Sequence, residues 1–150
     1  MAQAVNVLWA LILIDREKTL LPPSYHIFDL YQVHQNATLI HLKFESPDYA
    51  LGDEKTFALN ALVSRDKAGV VHLPLVNFDP TKTLILEISL PGSNWKAVTG
   101  RILTATNVSD YNTFDKPQTV PLTAFTDAKK QGDKLRVALP PYPVVMLELK

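Results

Sequence analysis

The chain has 150 residues, which is enough for one ordinary domain with its own hydrophobic core. Its fifteen Lys and Arg residues balance fifteen Asp and Glu residues, so charge gives no reason to expect nucleic acid or an anionic membrane as a partner. The absence of cysteine excludes a disulfide framework and a thiolate metal site.

The first predicted element is the nearly continuous apolar run "VNVLWALILI" at residues 5–14. It is too short to span a bilayer as a helix. It also lacks the basic flank and cleavage site of a signal peptide, so we expect a cytoplasmic protein. Such a run is typical of a strand that is buried on both faces and has neighbouring strands on both sides.

A helix is predicted next. Pro22 and Pro23 interrupt regular structure, Ser24 is a suitable N-cap, and the helix should run from about Tyr25 to Gln35. A strand followed by a helix is half of a βαβ unit, the building block of parallel α/β folds.

From Ala37 onward the sequence changes character. Short β-type runs are separated by turn sequences, which is typical of an all-β sandwich. The stretch "SPDYALGDEK" at residues 46–55 and the region after residue 105 are predicted as loops. Strands are predicted at residues 38–44, 57–64, 70–78, 83–90, 97–105, 134–140 and 144–149.

The four histidines are the first candidates for chemistry. His26 and His34 lie in the predicted helix, within "SYHIFDLYQVHQNA". They are eight residues apart, or about 12 Å along the axis, whereas metal ligands on one helix face are normally four apart. His41 and His72 lie in predicted strands and could approach another histidine only through tertiary folding. We therefore expect four structural or surface histidines and no metal or cofactor.

Other catalytic patterns are weak. The sequence has no G-x-S-x-G motif for a serine nucleophile and no glycine-rich phosphate loop. Its acidic residues cluster in "DREK", "FESPD" and "GDEK", which read as solvated turns without a paired general acid and base. The residues alone therefore predict no self-contained active site.

Several segments, read in order, resemble the C-terminal end of the α-L-arabinofuranosidases of glycoside hydrolase family 51. They are "AQAVNVLWALIL", "PSYHIFDLYQVHQNA", "SRDKAGVVHLPLVNFDP", "GRILTATNVSDYNTFDKP" and "LPPYPVVMLEL". The resemblance implies a (β/α)8 barrel followed by a jelly-roll sandwich. Residues 1–36 would then be the last βα unit of the barrel, and residues 37–150 a C-terminal β-sandwich domain. The expected fold class is mainly β, an antiparallel jelly-roll-like sandwich preceded by one strand–helix remnant.

The resemblance also implies a function. The family removes terminal α-L-arabinofuranosyl residues from arabinan or arabinoxylan by a retaining mechanism, which needs two carboxyl groups about 5–5.5 Å apart. The family's catalytic glutamates belong to the fourth and seventh barrel strands, upstream of Met1. We therefore expect no catalytic residue here and an inactive isolated chain that supports the barrel and a homo-oligomer. Gln3 matches a glutamine that binds the sugar ring, whereas Trp9 departs from the polar residue of many relatives.

A second hypothesis is a non-catalytic carbohydrate-binding sandwich. Trp95, Tyr49 and Tyr142 could each stack on a sugar ring, although they are scattered rather than placed along one strand face. A purely structural role predicts instead that the apolar residues 1–35 either self-associate or dock onto the sandwich.

Overall fold

The computed structural model describes residues 4–7, 10–91 and 95–150. Within these ranges, a small N-terminal hairpin and a helix precede a two-layer β-sandwich. The helix α1 spans Pro23–Tyr31, and a 3-10 turn follows at Gln32–His34. The strands are β1 (Leu13–Asp15), β2 (Lys18–Leu20), β3 (Thr38–Leu39), β4 (Asp48–Leu51), β5 (Glu54–Phe57), β6 (Leu59–Ala61), β7 (Ser64–Arg65), β8 (Val71–Asn77), β9 (Leu84–Ser89), β10 (Val98–Leu103), β11 (Leu122–Ala124), β12 (Ala128–Gln131), β13 (Lys134–Leu139) and β14 (Val144–Leu149).

Two antiparallel sheets make up the sandwich. The larger sheet has the order β11-β10-β14-β8-β7-β3, with β6 also paired to β8, and the smaller has the order β12-β13-β9. The last strand, β14, lies between β10 and β8 in the larger sheet. The strands β1 and β2, and β4 and β5, form two separate hairpins. The described chain therefore has the mainly β fold that the sequence predicts.

The core lies between the two sheets. Alternate residues of β8, β14 and β13 point inward, as the two-residue period of a strand requires. Together they form one cluster of fully buried apolar side chains, which includes Leu73, Leu75, Leu135, Val137, Leu139, Val145, Leu147 and Leu149. Burial of a Leu or Val side chain contributes about 1.5–3 kcal/mol, so this cluster is the main source of stability.

Two buried asparagines fix loops at the margin of the sandwich. The side-chain amide of Asn77 donates to the carbonyl oxygens of Lys82 and Pro140, both at 2.8 Å. The amide of Asn112 donates to the carbonyl oxygen of Leu21 at 3.0 Å, and its oxygen accepts from the backbone N–H of Val120 at 2.8 Å. Each side chain therefore forms hydrogen bonds with backbone groups that are not paired within a β-sheet.

The prediction of one strand over residues 5–14 is wrong for the described part of this segment. Val5 makes an isolated parallel bridge with Ile12, and β1 begins only at Leu13. Asn6 adopts φ +50° and exchanges two hydrogen bonds with the backbone of Ile14. A strand buried on both faces needs neighbours on both sides, and the described residues provide none here. The backbone therefore pairs locally with itself.

The predicted helix is present, but its start is wrong. It begins at Pro23 with Pro22 as N-cap, and no side chain caps it. Ser24 lies inside the first turn instead. Proline suits the first helical position because its φ is already helical and its missing N–H would be unpaired there.

Five of the seven predicted sandwich strands are confirmed as β8, β9, β10, β13 and β14. The predicted strand at residues 57–64 is wrong as one strand, because this segment is divided among the end of β5, β6 and the start of β7. Two further regions differ. Of the predicted strand at residues 38–44, only β3 pairs with a neighbour. Ile40 and Leu42 are partly buried against the core, while His41 and Lys43 are exposed. The alternating apolar pattern of these residues therefore reflects burial of one face, although the segment does not belong to a strand. The segment "SPDYALGDEK", predicted as a loop, contains β4 and the first half of β5.

Candidate functional site

The structure brings two of the four histidines together on the outer face of the larger sheet. His34 follows α1, and His72 is in β8; their ring centroids are 6.3 Å apart and the rings are nearly perpendicular. His34 Nδ1 lies 2.7 Å from the hydroxyl oxygen of Ser64. His72 Nε2 lies 2.9 Å from a carboxylate oxygen of Asp66. We call these four side chains the junction cluster, because they join the helical segment to the sheet.

Asp66 is held in place by the tight turn between β7 and β8. Its second carboxylate oxygen accepts from the backbone N–H groups of Ala68 and Val70, at 2.8 and 3.0 Å. Gly69 permits this turn because its φ is +87°. The hydrogen bond from His72 and these backbone donors favour the charged carboxylate and lower the pKa of Asp66.

The environment of His34 favours its neutral form. Burial lowers the pKa of His34, and the neighbouring charge of His72 lowers it further. The Tyr31 ring meets the His34 ring edge-on at 5.5 Å, and burial raises the pKa of the Tyr31 hydroxyl. Both groups therefore stay uncharged near neutral pH.

A second polar contact ties α1 to the sheet. Arg101 in β10 donates to the carboxylate of Asp29 in α1 at 3.1 Å, and Gln32 donates to the other oxygen of that carboxylate at 2.9 Å. Both charged side chains of the ion pair are about a third exposed or more. Such a pair contributes at most about 1 kcal/mol, so it orients the helix more than it stabilises it.

The junction cluster contains the residue types of a catalytic triad but not its geometry. In a triad, one histidine contacts both the serine and the carboxylate. Here Ser64 contacts His34, whereas Asp66 contacts His72. Ser64 is also buried, so a substrate has no access to its hydroxyl. The cluster is therefore not arranged for nucleophilic catalysis.

A metal site is equally unsupported by the geometry. Among the described residues, no group of three or more His, Asp or Glu side chains is placed to hold a metal ion. His26 is half-buried on α1 beside Tyr25, with ring centroids 5.6 Å apart, and His41 is exposed. The approach of His34 to His72 was not predicted, because helix and sheet meet only in the tertiary structure.

The predicted sugar-binding residue lies outside the described residues. This applies to Gln3 and also to Trp9, the position at which the sequence departs from many relatives. The role of Gln3 therefore stays a prediction.

The three aromatic candidates for sugar stacking differ in availability. Trp95 is only 7% exposed, and the ammonium group of Lys130 lies 4.6 Å from its ring centroid. Lys130 also donates to the carbonyl oxygen of Trp95 at 2.9 Å. Tyr49 is half-buried in β4, and Tyr142 is 38% exposed in the turn before β14. Because Trp95 is buried in contacts within the chain, its ring is not available to stack on a sugar.

Two clefts open where residues 40–45 cross the side of the sandwich. One has a volume of about 260 Å³ and reaches the core residues Leu59, Leu73 and Leu75. The other, of about 400 Å³, lies beside Ile40, Val63 and Val71. Sugar sites need several polar groups that converge on hydroxyls, whereas these clefts reach mainly apolar core side chains.

Comparisons with known proteins agree over nearly the whole chain. A family model described as the alpha-L-arabinofuranosidase C-terminal domain matches residues 1–142. The chain is 35% identical over 150 residues to an intracellular exo-alpha-L-arabinofuranosidase of Bacteroides ovatus, covering 99% of this chain and 29% of the relative.

Solved structures give the same result. The GH51 arabinofuranosidase of Xanthomonas axonopodis pv. citri is 40% identical, with a TM-score of 0.94, and the match covers 99% of this chain and 30% of that one. A family 51 alpha-L-arabinofuranosidase of Bifidobacterium longum has a TM-score of 0.84 at 22% identity, over 99% of this chain and 30% of its own. At that identity the likeness shows the fold alone.

The chain thus spans 29% and 30% of the two more similar relatives, and its described residues form a two-layer sandwich behind one short helix. No described helix is long and apolar enough to cross a membrane. The match of the family model to residues 1–142 shows that this chain belongs to the family of α-L-arabinofuranosidase C-terminal domains.

Proposed function

We propose that this chain works as the C-terminal part of an enzyme that releases terminal α-L-arabinofuranosyl residues from arabinan, arabinoxylan or their oligosaccharides. The observation that carries the proposal is the 40% identity to the Xanthomonas arabinofuranosidase, with a TM-score of 0.94 over 99% of the chain. The Bacteroides relative is named an exo-alpha-L-arabinofuranosidase and intracellular. This supports the same activity and a cytoplasmic location here.

In this proposal the catalytic carboxyl groups belong to a barrel outside the chain. A retaining glycosidase needs an acid and a nucleophile about 5–5.5 Å apart. The two carboxylates whose pKa is lowered, Asp66 and Asp79, are both held by local hydrogen bonds. The junction cluster is likewise not arranged for catalysis. Residues 1–36 would complete the barrel and residues 37–150 would brace it.

An arabinofuranosidase assay tests the proposal. The 150-residue chain alone should not hydrolyse an aryl α-L-arabinofuranoside above the buffer rate. Joined to the barrel of the Xanthomonas enzyme in place of that enzyme's own C-terminal part, it should give an active hydrolase. Turnover by the chain alone, or a folded but inactive hybrid, would contradict the proposal.

The role of Gln3 is tested in the same hybrid. If its amide hydrogen-bonds the arabinofuranosyl ring, Gln3→Ala should lower kcat/KM about tenfold or more, which corresponds to about 1.4 kcal/mol. The matched control is Gln131→Ala, because Gln131 is exposed at the end of β12. Equal kinetics for the two variants would refute the assignment.

Homo-oligomer formation is part of the proposal. Several apolar side chains in the described part of residues 1–35 are exposed, among them Phe28 at 65%, Ile14 and Val5. Exposed apolar side chains that group together mark interaction surfaces. Light scattering should show self-association of the full chain and a monomer for a shorter chain that begins at Ala37. Monomers in both cases would rule out self-association through this segment.

A further inference from the structure

The junction cluster is a buried or partly buried group of polar side chains that the proposed function leaves unused. It lies where residues 32–36 leave α1 and enter the sandwich. His34 and Ser64 form one contact, at 2.7 Å, and His72 and Asp66 form the other, at 2.9 Å. Two ring nitrogens, Nε2 of His34 and Nδ1 of His72, are buried without a hydrogen-bond partner.

The unpartnered Nε2 of His34 is satisfied only when the His34 ring is neutral. A neutral imidazole carries one N–H and one lone pair, whereas the protonated ring carries two N–H groups. When His34 is neutral, its single N–H can be at Nδ1, next to Ser64, and Nε2 presents only a lone pair. Protonation places an N–H at Nε2, where no acceptor is available, and adds a charge to a partly buried ring. A buried donor without an acceptor is costly, and more so when it is charged.

The charged groups around the cluster do not compensate His34. From the β7–β8 turn, Asp66 is already bound to His72 and to two backbone N–H groups. From α1, Asp29 is paired with Arg101 of β10.

The other groups beside the cluster are also paired or uncharged. From β14, Glu148 stands opposite His72 in the strand register and is paired with Lys150 at 2.9 Å. The Tyr31 ring beside His34 is uncharged at neutral pH. The other ring beside His34 is that of His72, whose centroid lies 6.3 Å away and whose charge lowers the pKa of His34.

The two histidines thus differ in whether a carboxylate faces them. The carboxylate of Asp66 faces His72, with its oxygen 2.9 Å from Nε2. A proton on His34 gains no anion and is repelled by His72. Burial and this repulsion lower the pKa of His34 below its usual value of 6.5.

We propose that the contact between His34 and the Ser64–His72 face of the sheet is an acid-sensitive latch, which holds the α1 segment on the sandwich when His34 is neutral and releases it when His34 is protonated. The sign follows from linkage: the released state binds the proton more tightly than the docked state. Docking is therefore at full strength above pH 6.5 and weakens as the pH falls from there through the lower pKa of docked His34. Asp66 does not titrate in this window, because its pKa lies below 3.8.

Hydrogen exchange of the full chain between pH 7.5 and 5.0 tests the latch. After correction for intrinsic exchange, the amides of α1 should lose up to tenfold in protection per pH unit in the window, as one linked proton requires. The amides of β14 should keep their protection. His34→Gln, which cannot be protonated, should abolish the pH dependence in α1. The matched control, His26→Gln on the same helix, should retain it.

A second measurement uses the unsubstituted chain and therefore does not require that a variant folds. In an NMR titration of the unsubstituted chain, the His34 ring should titrate with a midpoint below the usual value of 6.5, and the loss of protection in α1 should follow the His34 midpoint. The latch is refuted if α1 keeps its protection down to pH 5.0, if folded His34→Gln keeps the pH dependence, or if His34 titrates at or above pH 6.5.

Discussion

The side-chain amide of Asn112 donates a hydrogen bond of 3.0 Å to the carbonyl oxygen of Leu21, which lies 91 residues earlier in the chain. Its oxygen accepts from the backbone N–H of Val120 at 2.8 Å. One buried side chain therefore fastens the long loop between β10 and β11 to the connection between β2 and α1. This contact links the two parts into which the sequence divides the chain.

Replacement of Asn112 by alanine should destabilise the fold. It leaves the carbonyl oxygen of Leu21 and the N–H of Val120 without their partner, which costs about 1–3 kcal/mol for a buried group. The free energy of unfolding in urea measures the effect. Asn107→Ala is the control, because Asn107 is exposed in the same loop and should change stability by less than about 0.5 kcal/mol. Equal values for the two variants would mean that the Asn112 contacts contribute nothing.

Gly100 in β10 should not tolerate a methyl group. A Cβ at this position would lie 2.9 Å from Cδ2 of Leu147 and 3.1 Å from the carbonyl oxygen of Phe125. We expect Gly100→Ala to cost about 1–3 kcal/mol, as overpacking of a core does. Leu147→Val removes one of the clashing atoms.

The double variant Gly100→Ala/Leu147→Val therefore tests the steric cause. It should be more stable than the sum of the two single effects predicts, with a coupling of about 0.5 kcal/mol or more. Simple additivity in urea unfolding would show that the cost at Gly100 is not steric.

Acid should lower the stability of the fold by disrupting the loop that follows β8. The backbone N–H of Thr81, with further donors from Thr81 and Lys82, stabilises the charged carboxylate and lowers the pKa of buried Asp79 below 3.8. A lowered folded pKa contributes stability above pH 3.8 that is lost as the pH falls through the folded pKa. Asp79→Asn should therefore reduce stability at pH 7 and flatten its decline in acid. Thermal unfolding from pH 7 to pH 2 measures both effects.

The control for this pH experiment is Asp133→Asn, at the exposed turn between β12 and β13. Its stability should follow the pH profile of the unsubstituted chain. The explanation for Asp79 fails if the two variants have the same profile.

The core cluster should respond strongly to truncation. Leu135 in β13 is fully buried between the sheets, and Leu→Ala at such sites costs about 2–5 kcal/mol. Ile85→Ala, in the neighbouring strand β9, is the matched control because Ile85 is more than half exposed. Denaturant midpoints should fall far more for Leu135→Ala. A comparable fall for both would place the core elsewhere.

Much of the sandwich could be predicted from the sequence, because burial on one or both faces leaves a pattern in the apolar residues. The predicted strands at residues 70–78, 83–90 and 144–149 correspond to β8, β9 and β14 with shifts of no more than one residue at either end. The pattern reports burial and not pairing, which is why residues 40–44 alternate without forming a strand.

Two hairpins were missed although the sequence contained a signal for them. The pairs β4–β5 and β12–β13 each turn through a Gly-Asp dipeptide, with Gly52 and Gly132 at φ +61° and +62°. Glycine supplies the positive φ that tight hairpins need. The strands β4, β5 and β12 are largely exposed, so they leave no buried apolar face from which a strand could be recognised.

The junction cluster could not be predicted at all. Nothing in the local sequence of His34 or His72 indicates that they meet, since the contact depends on how the helix docks on the sheet. The expectation that His26 and His34 do not share a metal rests instead on helix geometry alone and stays a prediction.

The position of β14 affects how the protein can be made. Because Val144–Leu149 pairs with β10 on one side and β8 on the other, the larger sheet stays divided until Leu149 has left the ribosome. Until then, β8 and β10 have no strand between them, and their inward-facing apolar residues have no complete core to enter. The sandwich therefore folds after synthesis of its last strand rather than progressively, and nascent chains arrested before residue 144 should be recognised by chaperones as unfolded.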